Sequence, residues 1–393
     1  MHILELPSFF PPYGGTFCID QAKALALSGH EVRILSNVQL GLTVDLRGYL
    51  CLPFGRQERE VDGIGVVQSY QRGLPMLVRF NVNRWLGIVR SMFADYQSRY
   101  GRPDIIHAHC AKWAGRAAML ISRDYGIPYV ITEHLSRGAL ELEFGPAPSK
   151  AWQIPLLKEA YAKAPLVIPV SEELVADVAC YYGRDYRWVS VSNTIDTSFY
   201  HYQPRKTLEG RRFRFCCLAD NYYRKGYDVL LPAFRLLAER VGESVELHIA
   251  GRFTDKADFK AQLTPGIMSS YGLLDRNAVR QLLYASDALV LPSRSEVQPL
   301  VLLEAMSTGI PVVTTEAAPG SLRLEGASHV VPIDNADALA DAMHDVLANY
   351  DRYDGQAMSR QVAELASPEV IGRKLSELFS GVLSDVSRRQ PVV

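Results

Sequence analysis

The sequence lacks the features of membrane-spanning, disulfide-stabilised and nucleic-acid-binding proteins. No apolar run in its 393 residues approaches the length of a membrane span. Residues 1–7 are too short for a signal peptide and have the wrong flanks, so they are interpreted as a first strand. A net charge of −1 argues against a dedicated nucleic-acid binder. The six cysteines show no Cys-x-x-Cys spacing, which predicts reduced core thiols and a cytosolic location.

Motifs of several common enzyme classes are missing as well. No Gly-x-Gly-x-x-Gly follows a strand, which disfavours a nicotinamide dehydrogenase. The sequence has no Gly-x-Ser-x-Gly, no Walker loop and no zinc-ligand spacing. Ser171 has no nearby base and is interpreted as a helix cap rather than a nucleophile.

The chain contains an alternation of short apolar runs and helical patterns, with 48% apolar and 22% charged residues. This pattern predicts a soluble α/β protein with parallel sheets and crossover helices. The predicted strands are 2–7, 31–36, 64–70, 104–109, 129–133, 166–171, 189–193, 212–219, 245–250, 287–292, 311–315 and 328–332. The main predicted helices are 16–28, 77–99, 113–125, 172–182, 226–241, 276–285, 300–308, 335–349 and 368–387.

Periodicity is lost near 197–211, which divides the chain into two parts of ordinary domain size. We therefore predict two Rossmann-like domains facing each other across a cleft. The predicted boundaries are 1–200 for the first domain, 201–370 for the second, and 371–393 for a C-terminal helix and tail.

Two acids eight positions apart, Glu296 and Glu304, lie in a predicted strand, loop and helix start. The helix is expected to begin near Pro299, and its first N–H groups and positive dipole end suit a diphosphate. Glu304 lies one turn inside this helix, where a carboxylate can accept two hydrogen bonds from a ribose diol. Taken alone, the pair could equally be a loop acid and a helix acid without a shared ligand.

The segment from Ser293 to Met306, followed by Ser-Thr-Gly-Ile-Pro-Val-Val, resembles the Glu-(seven residues)-Glu motif of the family 4 glycosyltransferases. The resemblance covers almost the whole chain and implies the GT-B architecture, in which the last helix packs back on the first domain. It also implies that Glu304 holds the nucleotide ribose and that Glu296 contacts the donor sugar.

The first strand is joined to the first helix by a segment with two glycines, Gly14 and Gly15. Glycines let a backbone approach a ligand closely, although a plain tight turn would also explain them. The family has a Gly-Gly at this place, next to the donor diphosphate.

Two histidines, His107 and His109, share one face at the end of a predicted strand. A metal site is conceivable, but no third ligand is evident, and a packed polar strand end is the alternative. By resemblance, His109 lies near the donor sugar. His107, Glu133 and His134 are expected on the acceptor side.

The pair Arg224 and Lys225 precedes a glycine and resembles the family's Lys-Gly motif, in which lysine reaches the donor phosphates. The family usually has an arginine five or six residues earlier, where this chain has Ala219 and Asp220. Arg224 or Arg252 is expected to replace it, and the sequence does not choose between them.

The remaining donor contacts follow from the resemblance. Gly251 and the Tyr271–Leu274 segment, including Leu273, occupy places where the family's backbone holds the nucleobase. Gln298 and Pro299 stand where the family often has Phe-Gly, so Gln298 is expected to contact the donor sugar. Pro299 has no N–H, which leaves those of Leu300 and Val301 for phosphate.

Residues 72–102 combine six arginines and one acid with apolar side chains, as in a basic amphipathic helix. The arginines are Arg72, Arg79, Arg84, Arg90, Arg99 and Arg102; the apolar residues are Leu77, Phe80, Trp85, Ile88, Met92 and Phe93. Such a helix can lie on an anionic membrane, as for relatives with lipid-linked acceptors. A core-packed helix with a solvated arginine face is the alternative.

The expected activity is a retaining, metal-independent transfer from a UDP- or GDP-linked sugar to a glycan, lipid-linked or small-molecule acceptor. His109, Lys225 and Glu296 are the expected catalytic residues, and no metal or other cofactor is expected. A place in polysaccharide biosynthesis in the cytoplasm, peripherally on the inner face of the membrane, is anticipated. The alternatives are a GT-B nucleotide-sugar epimerase and a non-catalytic sugar-nucleotide-binding protein.

Overall fold

The computed structural model describes residues 1–42, 45–51, 54–144, 148–204 and 207–389. The chain divides into two compact units: unit 1 is residues 1–194 with 368–393, and unit 2 is residues 195–367. The divisions therefore fall before Ile195 and Pro368, a few residues ahead of the positions expected from sequence. Residues 205 and 206 of the expected break and 390–393 of the expected tail lie outside the described residues.

The strands lie mainly at the predicted positions. They are β1 (His2–Pro7), β2 (Glu31–Leu40), β3 (Gly55–Val61), β4 (Ile64–Arg72), β5 (Ile105–His109), β6 (Tyr129–Glu133), β7 (Leu166–Pro169), β8 (Phe213–Leu218), β9 (Val245–Ala250), β10 (Met268–Ser270), β11 (Ala288–Leu291), β12 (Val312–Thr315) and β13 (Ser328–Val331).

The α-helices fill the crossovers between the strands. They are α1 (Thr16–Leu27), α2 (Leu46–Cys51), α3 (Val78–Tyr100), α4 (Arg116–Tyr125), α5 (Arg137–Phe144), α6 (Ile154–Lys163), α7 (Glu173–Asp177), α8 (Ala179–Tyr182), α9 (Tyr227–Val241), α10 (Ala257–Lys260), α11 (Arg276–Ala285), α12 (Leu300–Ser307), α13 (Ala336–Ala348), α14 (Gly355–Ala366) and α15 (Pro368–Arg389).

Each unit is built on one sheet with its own apolar core. The sheet of unit 1 has the strand order β3-β4-β2-β1-β5-β6-β7, and that of unit 2 has the order β10-β9-β8-β11-β12-β13. The central strands read as continuous apolar runs because helices cover both faces of a parallel sheet. In each sheet the parallel strands end at the same edge. The predicted site residues lie at or after the ends of β1, β5 and β6 in unit 1 and of β8, β9 and β11 in unit 2.

Three strands differ from the prediction: β3 and the short β10 were not predicted, and the predicted strand 189–193 is absent. The edge strand β3 pairs antiparallel with β4 and was not predicted, because it is polar and exposed at nearly every position and forms no apolar run. The predicted strand 189–193 is not a strand, although the amides of Val189 and Val191 donate to the Val167 and Pro169 carbonyls of β7 at 3.1 Å. The predicted helix 172–182 is divided into α7 and α8 at Val178.

The C-terminal helix α15 packs against α1 within unit 1. Its buried face carries Ile371, Leu375 and Phe379, which belong to the same core as β1 and β2. A side chain at Gly372 would meet the carbonyl oxygen of Ala24 at 2.2 Å, so this glycine permits the close approach of the two helices.

The arginine-rich helix α3 is core-packed along most of its length. Trp85, Met92 and Phe93 are buried, whereas Leu77 and Phe80 are each 51% exposed at the first turn. Several of its arginines bind groups of unit 1: Arg84 donates to the Arg72 carbonyl, Arg90 pairs with Asp124, and Arg99 pairs with Glu58. Within the described part of the chain, no helix has the length and apolar character needed to cross a membrane.

Candidate active site

The loop between β1 and α1 requires both of its glycines. Gly14 and Gly15 have φ angles of 93° and 81°, a region that disfavours residues with a Cβ. A side chain at Gly15 would also meet the Phe9 carbonyl oxygen at 2.0 Å. The backbone therefore turns tightly into the N-terminus of α1, and the expected approach of a ligand to these glycines stays a prediction.

A buried carboxylate that the sequence analysis missed joins the two strand histidines. Glu5 on β1 accepts from His107 Nδ1 at 3.0 Å and from His109 Nε2 at 2.5 Å, and all three side chains are fully buried. We call these three residues the histidine–glutamate cluster. The strand pairing explains it, since Glu5 stands opposite His107 in the register of β1 and β5.

The hydrogen bonds of this cluster define the form of each ring. Burial alone would raise the pKa of Glu5, but His107 and His109 outweigh it and hold that pKa at about 2. Burial lowers the pKa of His109, so its ring is neutral near pH 7. A neutral His109 that donates through Nε2 leaves Nδ1 as an acceptor.

His134 continues the chain of hydrogen bonds. Its Nε2 lies 3.2 Å from Nδ1 of His109, and its ring stacks on Phe17 with a centroid distance of 3.7 Å. Burial and the neighbouring histidines hold the pKa of His134 well below its ordinary value. His134 therefore donates through Nε2 to His109 and presents Nδ1 as a second acceptor, which is buried without a partner among the described residues.

Glu133 and His107 hold the local backbone and neighbouring side chains. Glu133 accepts from the amides of Ala111, His134 and Leu135 at 2.9–3.1 Å and from the Tyr161 hydroxyl at 2.9 Å. His107 is fully buried and contacts Thr132 Oγ1 at 2.6 Å through its second ring nitrogen. These contacts favour positioning roles for both residues rather than direct contact with an acceptor.

Glu5 is a third residue, beside His107 and His109, that is able to bind a metal ion, and it was not evident from the sequence. Among the described residues, Glu5, His107 and His109 are the group close enough to hold an ion. Their facing atoms are already joined by hydrogen bonds, and none of the side chains reaches solvent. The geometry is that of a buried hydrogen-bonded triad.

In unit 2, two residues 71 positions apart in sequence meet in an ion pair. Lys225 Nζ contacts Glu296 Oε1, and their side chains are only 13% and 5% exposed. Gly226 makes this possible, since its φ is 69° and a side chain there would meet the Pro292 carbonyl oxygen at 2.0 Å. The Lys-Gly segment thus packs against the end of β11, which brings Lys225 to the loop between β11 and α12 that carries Glu296, here called the glutamate loop.

A hydrogen bond to a residue at the end of β12 holds the glutamate loop in place. Ser293 is fully buried, and its hydroxyl donates to Glu296 Oε1 at 2.6 Å. The carbonyl of Ser293 in turn accepts from Thr315 Oγ1 at the end of β12 at 2.5 Å. Glu296 is therefore held by a cation and a hydroxyl, whereas Glu5 is held by two imidazoles.

The second acid of the motif lies in the first turns of α12 and has its own neighbour. Tyr200 hydrogen bonds with Glu304, and burial together with that carboxylate raises the pKa of Tyr200. Tyr200 is 3% exposed and was not identified from sequence. Its hydroxyl fixes one side of the Glu304 carboxylate.

The helix α12 begins at Leu300, with Pro299 at its N-cap. The first N–H groups of a helix have no acceptor within that helix, and here they belong to Leu300 and Val301. Gln298 is buried just ahead of them. The predicted loop, helix start and following strand β12 agree with the structure to within two residues.

The loop after β9 is another place of close backbone packing. A side chain at Gly251 would meet the Ala219 carbonyl oxygen at 1.8 Å, and the Gly251 amide donates to the Gly272 carbonyl at 2.9 Å. The neighbouring Leu273 is 62% exposed. Close packing thus joins the two segments expected to hold a nucleobase through their backbone.

Arg224 and Arg252, the two candidates to replace the family's phosphate-binding arginine, are both exposed to solvent. Arg224 is exposed, and Arg252 is 74% exposed with its guanidinium 3.9 Å from Asp220. Asp220 also accepts from the Arg252 amide at 2.9 Å. The acid that stands where an arginine was expected therefore holds the Arg252 loop. Arg294, by contrast, is paired with Asp228 and Asp334 and serves to fix the glutamate loop.

Two family models match the chain and together cover most of both units. Residues 14–199 match the model described as Glycosyltransferase Family 4, and residues 212–349 match that described as Glycosyl transferases group 1.

The curated relatives are glycosyltransferases of bacteria. The TuaC glycosyltransferase of Bacillus subtilis strain 168, named for teichuronic acid biosynthesis, is 28% identical over 293 residues, which are 73% of this chain and 72% of TuaC. The D-inositol 3-phosphate glycosyltransferase of Paenarthrobacter aurescens is 27% identical over 281 residues, 65% of this chain and 68% of the relative.

Solved structures share the fold over nearly the whole chain. The sucrose-phosphate synthase of Thermosynechococcus elongatus has a TM-score of 0.74 at 16% identity, with 98% of this chain and 100% of that chain covered. HepE of Anabaena in complex with UDP has a TM-score of 0.70 at 17% identity, with 97% and 100% covered. The predicted α/β class with two Rossmann-like domains is confirmed by this likeness.

Proposed function

The chain belongs to the family 4 glycosyltransferases and is of the GT-B type, and from that premise we propose a retaining, metal-independent transfer from a nucleotide sugar. The donor is assigned to unit 2 through Lys225, Glu296 and Glu304. The acceptor is assigned to unit 1. No metal and no cofactor besides the nucleotide-sugar co-substrate takes part.

The observation that carries this proposal is the buried pairing of Lys225 with Glu296 beside the N-terminus of α12. A lysine paired with a carboxylate is a mobile point charge, and a diphosphate can draw it away because phosphate oxygens make stronger charge-assisted contacts. Glu296 would then face the donor sugar while Ser293 keeps its orientation.

The leaving diphosphate is stabilised by fixed positive groups. Lys225 supplies a full charge, and the helix start at Leu300 and Val301 supplies N–H donors and the positive end of a dipole. Such preorganised groups stabilise the charge that grows as the sugar–phosphate bond breaks. Glu304 anchors the nucleotide ribose, so it contributes to donor affinity rather than to bond breaking.

The transfer itself needs no enzymatic nucleophile. The bond between the sugar carbon and the diphosphate oxygen breaks, and the acceptor oxygen bonds to the same carbon on the same face. The acceptor hydroxyl gives its proton to the leaving phosphate. His109 donates to Glu5 through Nε2 and accepts from His134 at Nδ1, so both partners fix its ring, and we assign it a positioning role near the donor sugar.

The preferred donor is a UDP-linked sugar. Solved complexes of HepE, a neighbour in fold, contain UDP, UDP with glucose, or UDP-glucose. A thermal-shift comparison of UDP-, GDP- and ADP-linked sugars tests this, since a ligand that binds the folded state raises the midpoint. UDP-sugars are expected to give the largest shift and slow donor hydrolysis without acceptor. A protein that binds no nucleotide sugar would contradict the proposal.

A further inference from the structure

Unit 1 contains a cavity of about 500 Å³ that none of the predicted site residues lines. We call it the aromatic cavity; its walls include Phe9, Tyr13, Gln39, Trp85, Lys112 and Trp113. Its size falls in the range of pockets that bind one small molecule or sugar unit. Its rings come from the loop after β1, from α3 and from the segment after β5.

The aromatic side chains are fixed in place by their own contacts. The Trp85 indole donates to the Asn37 carbonyl at 2.7 Å, and Trp113 stacks on Trp152 at a centroid distance of 6.3 Å. Tyr13 donates to Asp45 at 2.6 Å. Rigid rings of this kind offer flat apolar faces on which the C–H face of a sugar ring can pack.

The charges on the cavity wall cancel. Lys112 and Glu143 are the charged side chains among its described lining residues, and they form an ion pair with each other. An anionic ligand would have to displace Glu143 from the lysine. The balanced pair therefore favours an uncharged ligand that offers hydroxyl groups to both.

Side-chain amides extend this polar wall. Gln39 lines the cavity and accepts from Gln71 Nε2 at 2.7 Å, while Gln71 Oε1 is buried without a partner among the described residues. Gln71 is 2% exposed. Of the two amides, Gln39 lines the cavity, and its side chain can exchange hydrogen bonds with the hydroxyl groups of a ligand.

The chain next to one wall of the cavity exposes apolar side chains. Val78 lines the cavity at the first turn of α3. Its neighbours in sequence, which we call the rim, are Met76, 95% exposed, and Leu77 and Phe80, each 51% exposed. Large apolar side chains exposed close together in the chain offer a contact for an apolar group.

We propose that the aromatic cavity binds the acceptor, and that the acceptor is an uncharged sugar ring carrying a hydrocarbon tail. The ring packs on Trp85 and Trp113 and hydrogen bonds to Gln39, Lys112 and Glu143. The tail lies on the rim formed by Met76, Leu77 and Phe80. This inference rests on the proposed glycosyltransferase function and specifies the acceptor of that reaction.

The test compares methyl and octyl glycosides of glucose, galactose and mannose, the octyl forms below their micelle concentration, by isothermal titration in the presence of UDP. At least one sugar is expected to bind, and its octyl form is expected to bind about tenfold or more tightly than its methyl form. Absence of binding by every glycoside, or equal affinity of the two forms, would overturn the inference.

Variants of the protein test the contacts of the sugar ring and those of the hydrocarbon tail separately. Met76→Ser combined with Phe80→Ser should remove the octyl advantage and leave methyl-glycoside binding unchanged, while Leu27→Ser, at a 67% exposed residue of α1, should change neither. Gln39→Met keeps the volume and should weaken both forms. An octyl advantage that survives the rim variant would also overturn the inference.

UDP titration of the same samples tests the acceptor cavity and the proposed function separately. If the parental protein binds UDP but no glycoside, only the assignment of the cavity is wrong. If it binds neither UDP nor a glycoside, the proposed function is wrong.

Discussion

The two units each bury a carboxylate at the end of a parallel sheet, but they balance its charge in different ways. Glu5 in unit 1 accepts hydrogen bonds from two imidazoles and is fully enclosed. Glu296 in unit 2 faces the ammonium of Lys225 in a loop beside a helix start. The first arrangement fixes a geometry, whereas the second keeps a cation that a diphosphate can attract. We therefore propose a positioning role for the cluster of unit 1 and charge stabilisation by the pair of unit 2.

The largest effect is expected from breaking the pair in unit 2. Lys225→Ala should lower turnover by about 100-fold or more, since a preorganised charge at the leaving group is lost. It should also destabilise the protein, because Glu296 is left buried without its cation. Steady-state kinetics and urea unfolding measure the two effects, with Lys260→Ala on α10 as the exposed-lysine control.

A second variant separates these two effects. Lys225→Met with Glu296→Gln removes both charges, so it should recover most of the stability lost by Lys225→Ala while turnover stays low. Parental turnover in Lys225→Ala would mean that Arg224 or Arg252 neutralises the phosphate instead.

A smaller effect is expected from the cluster of unit 1. Glu5→Gln keeps the shape but removes the charge that the two histidines hold, and should cost about 1–3 kcal/mol of unfolding free energy. Turnover should fall as well, because His109 loses its fixed tautomer. Glu60→Gln, on the exposed face of β3, is the matched control. A fully stable Glu5→Gln variant would contradict the role given to the cluster.

The same cluster predicts how stability depends on pH. The pKa of His134 is lowered below 6.5, so the unfolded state binds more protons and stability falls as pH drops through 6.5. The pKa of Glu5 is lowered from 4.5 to about 2, so its contribution is present above pH 4.5 and is lost between there and about 2. Glu5→Gln should lack the lower step, and His134→Asn should lose part of the upper one. Urea unfolding at several pH values measures both.

The smallest expected effect is that of a chelator. Neither the pair of unit 2 nor the proposed chemistry uses an ion, so activity in excess EDTA should equal that without it. Loss of transfer in EDTA that manganese restores would instead give the histidine–glutamate cluster, or a site outside the described residues, a metal-binding role.

Most strands and crossover helices were predictable, because buried parallel strands produce continuous apolar runs and their helices have clear periodicity. The edge strand β3 was missed since its side chains face solvent and carry no apolar signal. The short strand β10 and helices α2, α5, α6, α10 and α14 were missed in the stretches between stronger patterns.

The candidate site was predictable where it depends on motifs and not where it depends on strand register. Gly15, Gly226 and Gly251 stand where a side chain would meet a neighbouring backbone, and the ligand contacts expected of these motifs stay predictions. Glu5 could not be paired with the histidines because 102 residues separate it from His107. An acid inside the otherwise apolar run 2–7 was the one available signal, since buried acids need partners. Tyr200 offered no such signal beside Glu304.

The central proposal is that unit 2 binds the nucleotide sugar. Titration of UDP into the parental protein and into Glu304→Gln tests this most directly. The parental protein should bind UDP, and Glu304→Gln should lose about 1–3 kcal/mol of binding free energy because part of a bidentate ribose contact is removed. Glu325→Gln, an exposed acid of the same unit, should bind like the parent. If Glu304→Gln binds UDP as tightly as the parent does, the ribose role is wrong and the assignment of the donor site fails with it.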